Sequence, residues 1–156
     1  MKNIFYYETK IGKIGIAEKN NCITNLFFDT SILNSKEYLV KETEIIKEAS
    51  KQLKEYLDGN RKAFDLPLEL LGSEFSKKVW NELCKIPYGE TKTYTELASI
   101  INNPKAYRAV GMANSKNPIS IFIPCHRLVG SNGSLRGYLG GIKVKEYLLK
   151  LEKENK

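Results

Sequence analysis

The sequence predicts an α+β protein in two unequal parts: residues 1–66, a small antiparallel sheet with one helix, and residues 67–156, mainly helical and carrying a helix-turn-helix. Three observations carry that expectation. Short apolar-rich segments separated by Gly and Asn fill the start of the chain. A long stretch with apolar residues at helical spacing follows. Beyond residue 72 come successive helix-capping signals. With 156 residues the chain can bury one good core, or one core plus a small appended domain, but not two full-sized domains.

Residues 2–8, 13–18 around Ile14 and Ile16, and 22–28 are short, apolar-rich and divided by Gly12 and by Lys19-Asn20-Asn21. Such punctuation between strand-forming runs reads as an antiparallel meander. From Ser35 to Leu57, apolar residues at 39, 46, 49, 53 and 57 stand among charges, and Gly59 supplies a stop. A long amphipathic helix covering one face of the sheet is expected there. Tyr6, Tyr7 and Cys22 form no catalytic constellation and are assigned to core or surface, so this half is scaffold.

The run from Phe64 to Leu71 alternates, but Pro67 has no N–H to give a ladder, which argues for a link between the two parts instead of a central strand. Ser73 can cap a helix that puts Phe75, Val79, Leu83 and Ile86 on one face, ends at Pro87 and Gly89, and keeps Trp80 in the core. Thr93-Tyr94-Thr95-Glu96 is a capping box, Thr at N-cap and Glu at N3, opening a short helix to about Ile101. Asn103 as cap and Pro104 at the first position start another, from Ala106 to about Ser115, after only a couple of residues. The pair makes a helix-turn-helix. Small residues Ala106, Ala109, Gly111 and Ala113 let the second helix approach either DNA or another helix, with Lys105 and Arg108 near its N-terminal end. A last helix from Ile142 to about Glu152 is expected to turn Val144, Leu148 and Leu151 inward.

Charge separates the parts. Residues 1–100 balance 15 Lys and Arg against 15 Asp and Glu, whereas residues 101–156 hold 10 against 3, so the net charge of +7 lies in the last third. A positive field on one segment suits a polyanion such as nucleic acid, the other account being a solvated basic tail. No apolar run approaches the roughly 20 residues that span a bilayer, and Met1-Lys2-Asn3-Ile4-Phe5 has no signal-peptide pattern, so a soluble, cytoplasmic protein is expected. Cys22, Cys84 and Cys125 form no C-x-x-C pair, and the single histidine leaves too few ligands for zinc. Neither metal nor disulfide is expected.

One short stretch joins a nucleophile to a base. Pro124-Cys125-His126-Arg127 ends the apolar run Ile119-Ser120-Ile121-Phe122-Ile123, and Pro124 stops that run, so Cys125 falls at an element end. A free thiol with a pKa of about 8.5 is only slightly ionised at neutral pH, so a reactive cysteine needs help, and His126 is the only histidine in the chain. Taken alone, a Cys-His pair is also compatible with a buried structural thiol beside a hydrogen-bonded imidazole. After it, Gly130 to Ser134 is a loop, and Arg136-Gly137-Tyr138-Leu139-Gly140-Gly141 has glycines that let a backbone wrap a planar ligand.

Together, Val79-Trp80, Ile86-Pro87-Tyr88-Gly89, Arg108-Ala109-Val110-Gly111, Asn117-Pro118, Pro124-Cys125-His126-Arg127 and Gly137-Tyr138-x-Gly140-Gly141 resemble the 6-O-alkylguanine-DNA alkyltransferase family. The match runs from about Phe64 to Glu152 with motifs in fixed order; before it the likeness is looser and rests on length and strand pattern. The resemblance implies a ribonuclease-H-like N-terminal part and DNA repair by direct reversal. Cys125 would take a methyl or other alkyl group from the 6-oxygen of guanine, with the 4-oxygen of thymine as a further substrate, in one irreversible, stoichiometric turnover without cofactor. His126 would support the thiolate through a water, Glu152 would orient and charge the imidazole, and Asn117 would brace the turns. Tyr94 would donate to a guanine ring nitrogen. Tyr138, Leu139 and backbone groups around Leu128 would complete the base pocket. The partner implied is double-stranded DNA containing alkylated guanine, bound by a monomer through its minor groove, with no membrane role. The base is flipped out, Arg108 fills the gap, and Thr95, Asn103 and Ser131 hold phosphates.

Ser120 and Leu139 stand where residues vary within the family, and Arg136 adds a bulky charge at the mouth. Two rival functions differ in class. A non-catalytic binder of alkylated DNA would keep the fold and the arginine but replace the nucleophile, which Cys125 opposes. A cysteine hydrolase of another kind could use Cys-His-Glu but leaves the basic helix-turn-helix unexplained.

Overall fold

Ile4, Ile14, Ile16 and Ile23 are fully buried and lie on three successive strands, so the first unit is built on their packing. The computed structural model describes residues 1–28 and 36–156. It divides into Met1–Leu70 and Leu71–Lys156. In the first, β1 (Lys2–Thr9), β2 (Gly12–Lys19) and β3 (Cys22–Phe27) pair antiparallel. The β2–β3 turn holds Asn20 and Asn21 at φ 52° and 64°, left-handed values that Asn tolerates and that match the right-handed twist of a hairpin.

A fourth strand, β4 (Tyr38–Val40), pairs parallel to β1, giving the order β3-β2-β1-β4. It lies inside the stretch expected to be helical. Helix α1 covers Glu44–Leu57 only, capped by Thr43, whose hydroxyl accepts the Ile46 N–H. The expected start at Ser35 lies outside the described residues. Pairing with β1 overrides helical periodicity here, since Lys41 N–H still bonds the Ile4 carbonyl at 3.0 Å. Buried Ile46, Ala49, Leu53 and Leu57 form the expected apolar face. Gln52 joins them because its amide bonds both the N–H and the carbonyl of Asp65, at 2.9 and 3.1 Å. Pro67 offers only its carbonyl, to Ile23 N–H at 2.8 Å, and Glu69 N–H returns to the Ile23 carbonyl at 2.9 Å.

In the second unit, α2 (Glu74–Leu83) starts at the Ser73 cap and buries Val79, Trp80 and Leu83. Trp80 donates its indole N–H to the Ala113 carbonyl at 2.9 Å. Gly72 is required beside it: a Cβ there would stand 2.7 Å from the indole ring. A two-residue strand, β5 (Lys92–Thr93), leads through a complete capping box into α3 (Tyr94–Ile100). A 3-10 turn at Pro104–Ala106 then precedes α4 (Tyr107–Ser115). Asn103 makes no side-chain cap bond; its carbonyl accepts the Ala106 N–H at 2.9 Å instead. β5 pairs parallel with β6 (Leu128–Val129), which sets the start of the helix-turn-helix beside the chain leaving Cys125.

The last helix, α5, covers Ile142–Asn155. Its buried residues are Lys145, Leu148 and Glu152, so its inward stripe is centred on two charged residues, with Val144 and Leu151 at the flanks. The reason is electrostatic, as the partners of those charges show below. Among the described residues no helix is long and apolar enough to cross a membrane.

Candidate active site

Cys125 is presented by a buried turn. Within Ile119–Ile123 the Phe122 N–H donates to the Ser120 carbonyl and the Ile123 N–H to the Ile119 carbonyl, both at 2.9 Å. Ile121 takes φ 74°, a left-handed conformation that costs a side chain with a Cβ about 1–2 kcal/mol. Fully buried Asn117 holds the turn at both ends: its Nδ2 donates to the Ile123 carbonyl at 3.0 Å and its Oδ1 accepts the Ile119 N–H at 3.0 Å. Pro124 follows, and Cys125–Arg127 form one 3-10 turn. Cys125 is 2% exposed, its thiol donating to Ser120 Oγ across 3.9 Å and its carbonyl accepting Asn114 Nδ2 at 3.3 Å.

Two chain segments converge on the Glu152 carboxylate of α5. His126 Nε2–H donates to Oε2 at 2.6 Å. Arg127 Nε–H donates to Oε1 at 2.9 Å and Nη2–H to Oε2 at 3.0 Å. The Gly89 N–H donates to Oε1 at 3.1 Å. Arg127 also gives Nη1–H to the Ile86 carbonyl at 2.8 Å and lies 5.7 Å from the Tyr88 ring centre. The Ile86–Gly89 turn, the Cys-His-Arg turn and α5 are thus fastened together. With its proton on Nε2, His126 presents Nδ1 as the basic nitrogen.

Burial pushes the Cys125 thiol up, against hydrogen bonds from Asn117 and Ser120 and the charge of Lys145. Burial also pushes His126 below the ordinary imidazole value, outweighing Glu152, and the charges of Arg127 and Lys145 add to the depression. Burial thus disfavours the charged form of both the thiol and the imidazole. Lys145, itself held low by burial, donates to the Leu128 carbonyl at 2.6 Å, with Tyr138 6.0 Å away.

The remaining candidates fall into two groups. Tyr94 opens α3, its hydroxyl 3.5 Å from the Arg136 carbonyl, and burial, then the nearby Cys125, push its phenol up. Leu128 and Tyr138 are buried, whereas Leu139 is 61% exposed. Thr95 Oγ1 meets Ser131 Oγ at 3.3 Å. Asn103 and Arg108 stand exposed on the helix-turn-helix, Arg108 over the Tyr107 ring at 5.9 Å, and neither contacts the Cys125 cluster. Arg127 and Lys145 were not among the expected site residues. Arg127 adjoins His126 in the motif itself, and Lys145, Leu148 and Glu152 share one helix face, the signal that could have exposed both charges. Among the described residues no His/Cys/Asp/Glu cluster could hold a metal ion.

Two family profiles match the chain: "6-O-methylguanine DNA methyltransferase, ribonuclease-like domain" over residues 4–70, and "6-O-methylguanine DNA methyltransferase, DNA binding domain" over residues 74–154. A methylated-DNA--protein-cysteine methyltransferase of Methanosarcina acetivorans is 48% identical over 148 residues, 94% of this chain and 95% of its own. The constitutive enzyme of that description from Bacillus subtilis is 43% identical, over 94% and 92% of the two chains. The crystal structure of the Mycobacterium tuberculosis OGT in complex with DNA superimposes with a TM-score of 0.90 at 39% identity, covering 98% of this chain and 94% of that one.

Proposed function

This chain belongs to the 6-O-methylguanine DNA methyltransferase family, and on that premise we propose that Cys125 accepts the alkyl group from the 6-oxygen of guanine in DNA. Cys125 beside a His126 that is bonded to Glu152 carries this assignment, because it supplies nucleophile, base and orienting carboxylate in one buried cluster. The sulfur–hydrogen bond breaks as His126 Nδ1 takes the proton, through a water. Sulfur bonds to the alkyl carbon, and the carbon–oxygen pair passes to guanine. Tyr94 gives a proton to a guanine ring nitrogen, and the imidazolium proton makes good that loss. The net exchange is thiol hydrogen for alkyl group. Nothing regenerates the thiol from the thioether, so one chain repairs one base. The 4-oxygen of thymine offers the same chemistry.

The base must leave its stack to reach a cysteine this deeply buried, at a few kcal/mol that a weakened lesion pair reduces. The helix-turn-helix enters the minor groove, where exposed Arg108 fills the vacated space and Thr95, Asn103 and Ser131 bind phosphates. Asn117 braces the Cys125 turn, and Tyr138, Leu128 and Leu139 line the base. The first unit is scaffold. A monomer acting in the cytoplasm on double-stranded DNA, without cofactor, fits this chemistry.

The test is intact mass after incubation with duplex DNA containing methylated guanine. The expected result is a stable gain of one methylene per chain, reaching a plateau at one and lost in Cys125→Ala. DNA binding with no mass gain would instead make the protein a lesion binder.

A further inference from the structure

The outer face of α4 is cationic at its ends and apolar in its middle. On the inner side Val110, Ala113 and Asn114 are buried, and the helix is tied down by the Trp80 indole on the Ala113 carbonyl and by Asn114 Nδ2 on the Cys125 carbonyl. Across the 3-10 turn, α4 and its C-cap, Lys105, Arg108, Ala109, Met112 and Lys116 are exposed at helical spacing. No Asp or Glu stands between Glu96 and Glu146, so this face complements a polyanion. Met112 is 57% exposed in the midst of it.

A further cation in that place would neutralise one more phosphate, whereas a thioether gains only by leaving water, and the apolar surface that DNA offers is the faces of its bases. The groove must also be opened. A helix with its side chains is about 10–12 Å across, and the minor groove is about 6 Å wide. Apolar side chains, Met among them, open that groove by entering a base step, which unstacks it and kinks the duplex toward the major groove. We infer that Met112 is such a wedge, entering a base step of duplex DNA from the minor groove at a point separate from the one that Arg108 fills. One helical turn, about 6 Å, separates the two residues along α4, against about 3.4 Å between successive base pairs, so Met112 meets a step about two pairs from the flipped nucleotide. This deepens the proposed function and rests on α4 entering the minor groove.

Met1 and Met112 are the only methionines, so the full chain labelled at the methionine methyl carbon gives two methyl signals in NMR spectra, and Met112→Leu identifies the one from Met112. On adding an unmodified DNA duplex, the Met112 signal is expected to move upfield, the direction that the ring currents of bases stacked above and below it impose. A duplex labelled at both ends for energy transfer should shorten end to end with the wild type and with Met112→Leu, which keeps an apolar wedge, and shorten less with Met112→Ala. Met112→Ala should weaken duplex binding roughly twofold to tenfold. The slope of log affinity against log salt should stay as in the wild type, because no phosphate contact is lost. A Met112 signal that stays in place or moves downfield while the duplex is bound overturns the wedge, as does equal shortening with Met112→Ala. A signal that moves with protein concentration in the absence of DNA overturns it too, and gives this face to a second copy of the chain. Absence of methyl gain from a methylated duplex would overturn the proposed function without touching these readouts. Normal methyl gain with an unmoved Met112 signal would overturn the wedge alone.

Discussion

Lys145, fully buried, donates its ammonium to the Leu128 carbonyl at 2.6 Å, and its charge acts on Cys125. Lysine is rarely buried without a function or a partner, because desolvation penalises its charged form. Here the charge lowers a thiol that burial raises. Lys145→Met should therefore slow methyl transfer and move its pH dependence upward, about tenfold in thiolate per pKa unit. Thermal stability should change little, because relief of the desolvated charge opposes the cost of leaving the Leu128 carbonyl without its donor, about 1–3 kcal/mol. Stopped-flow transfer rates together with a thermal melt check this; an unchanged rate would remove the ammonium from the chemistry.

Arg108 is exposed on α4, and the role proposed for it lies at the duplex and not in bond making. Arg108→Ala should slow repair of methylated duplex DNA far more than reaction with a free alkylated base. The few kcal/mol needed to unstack a base arise only in the duplex. Parallel rates on the two substrates measure the difference, and equal losses would show that Arg108 does not assist flipping.

His126 also couples folding to pH. Its folded value is lowered by burial, so between that value and about 6.5 the unfolded chain binds a proton that the folded chain does not. Its stabilising contribution is complete above the unfolded value and is lost as pH falls through the folded one. The slope is at most about 1.4 kcal/mol per pH unit for one proton. Denaturant melts of wild type and His126→Gln across mildly acidic pH should show this slope in the first and not in the second. Asp58 and Glu96, both lowered, add their losses at more acidic pH in both proteins.

Local signals were the legible ones. The Thr93 capping box, the Ser73 cap and the apolar face of α1 depend on neighbours a few residues apart, and a sequence displays such spacings directly. What depends on distant partners was not visible. β4 and the β5–β6 pair are two or three residues long and exist only because another strand lies alongside. The inward stripe of α5 reads as Val144, Leu148 and Leu151 if hydrophobicity alone decides. It is shifted because Glu152 has His126, Arg127 and Gly89 to meet, and Lys145 has Leu128. The left-handed Ile121 has no signature, since nothing about an isoleucine announces φ 74°. The Cys125–His126–Glu152 grouping is legible in motif order, whereas the bonds of Arg127 to Glu152 and of Lys145 to Leu128 join residues far apart in the chain.

Glu152→Gln separates the carboxylate's charge from its shape. The amide oxygen can still accept the His126 N–H, so the ring stays in place, but Arg127 and Lys145 then face His126 with no anion between them. The imidazole should fall further below its ordinary value and become a weaker base, so neutral-pH transfer should slow. It should recover partly at higher pH, where the thiol ionises without help. The same direction is expected whether Glu152 charges the imidazole outright or only offsets the cations around it, and the resting thiol distinguishes the two. A neutral pair shows no thiolate absorbance at neutral pH in either protein, whereas an ion pair would show it in the wild type and lose it in the variant. The substitution also leaves Arg127 buried and uncompensated, a defect of about 3–5 kcal/mol, so rates must be scaled to the folded fraction. DNA affinity should hold, because Glu152 is buried within the second unit, away from the exposed helix-turn-helix residues Asn103 and Arg108. A pH–rate profile that overlays the wild type would exclude Glu152 from control of the base.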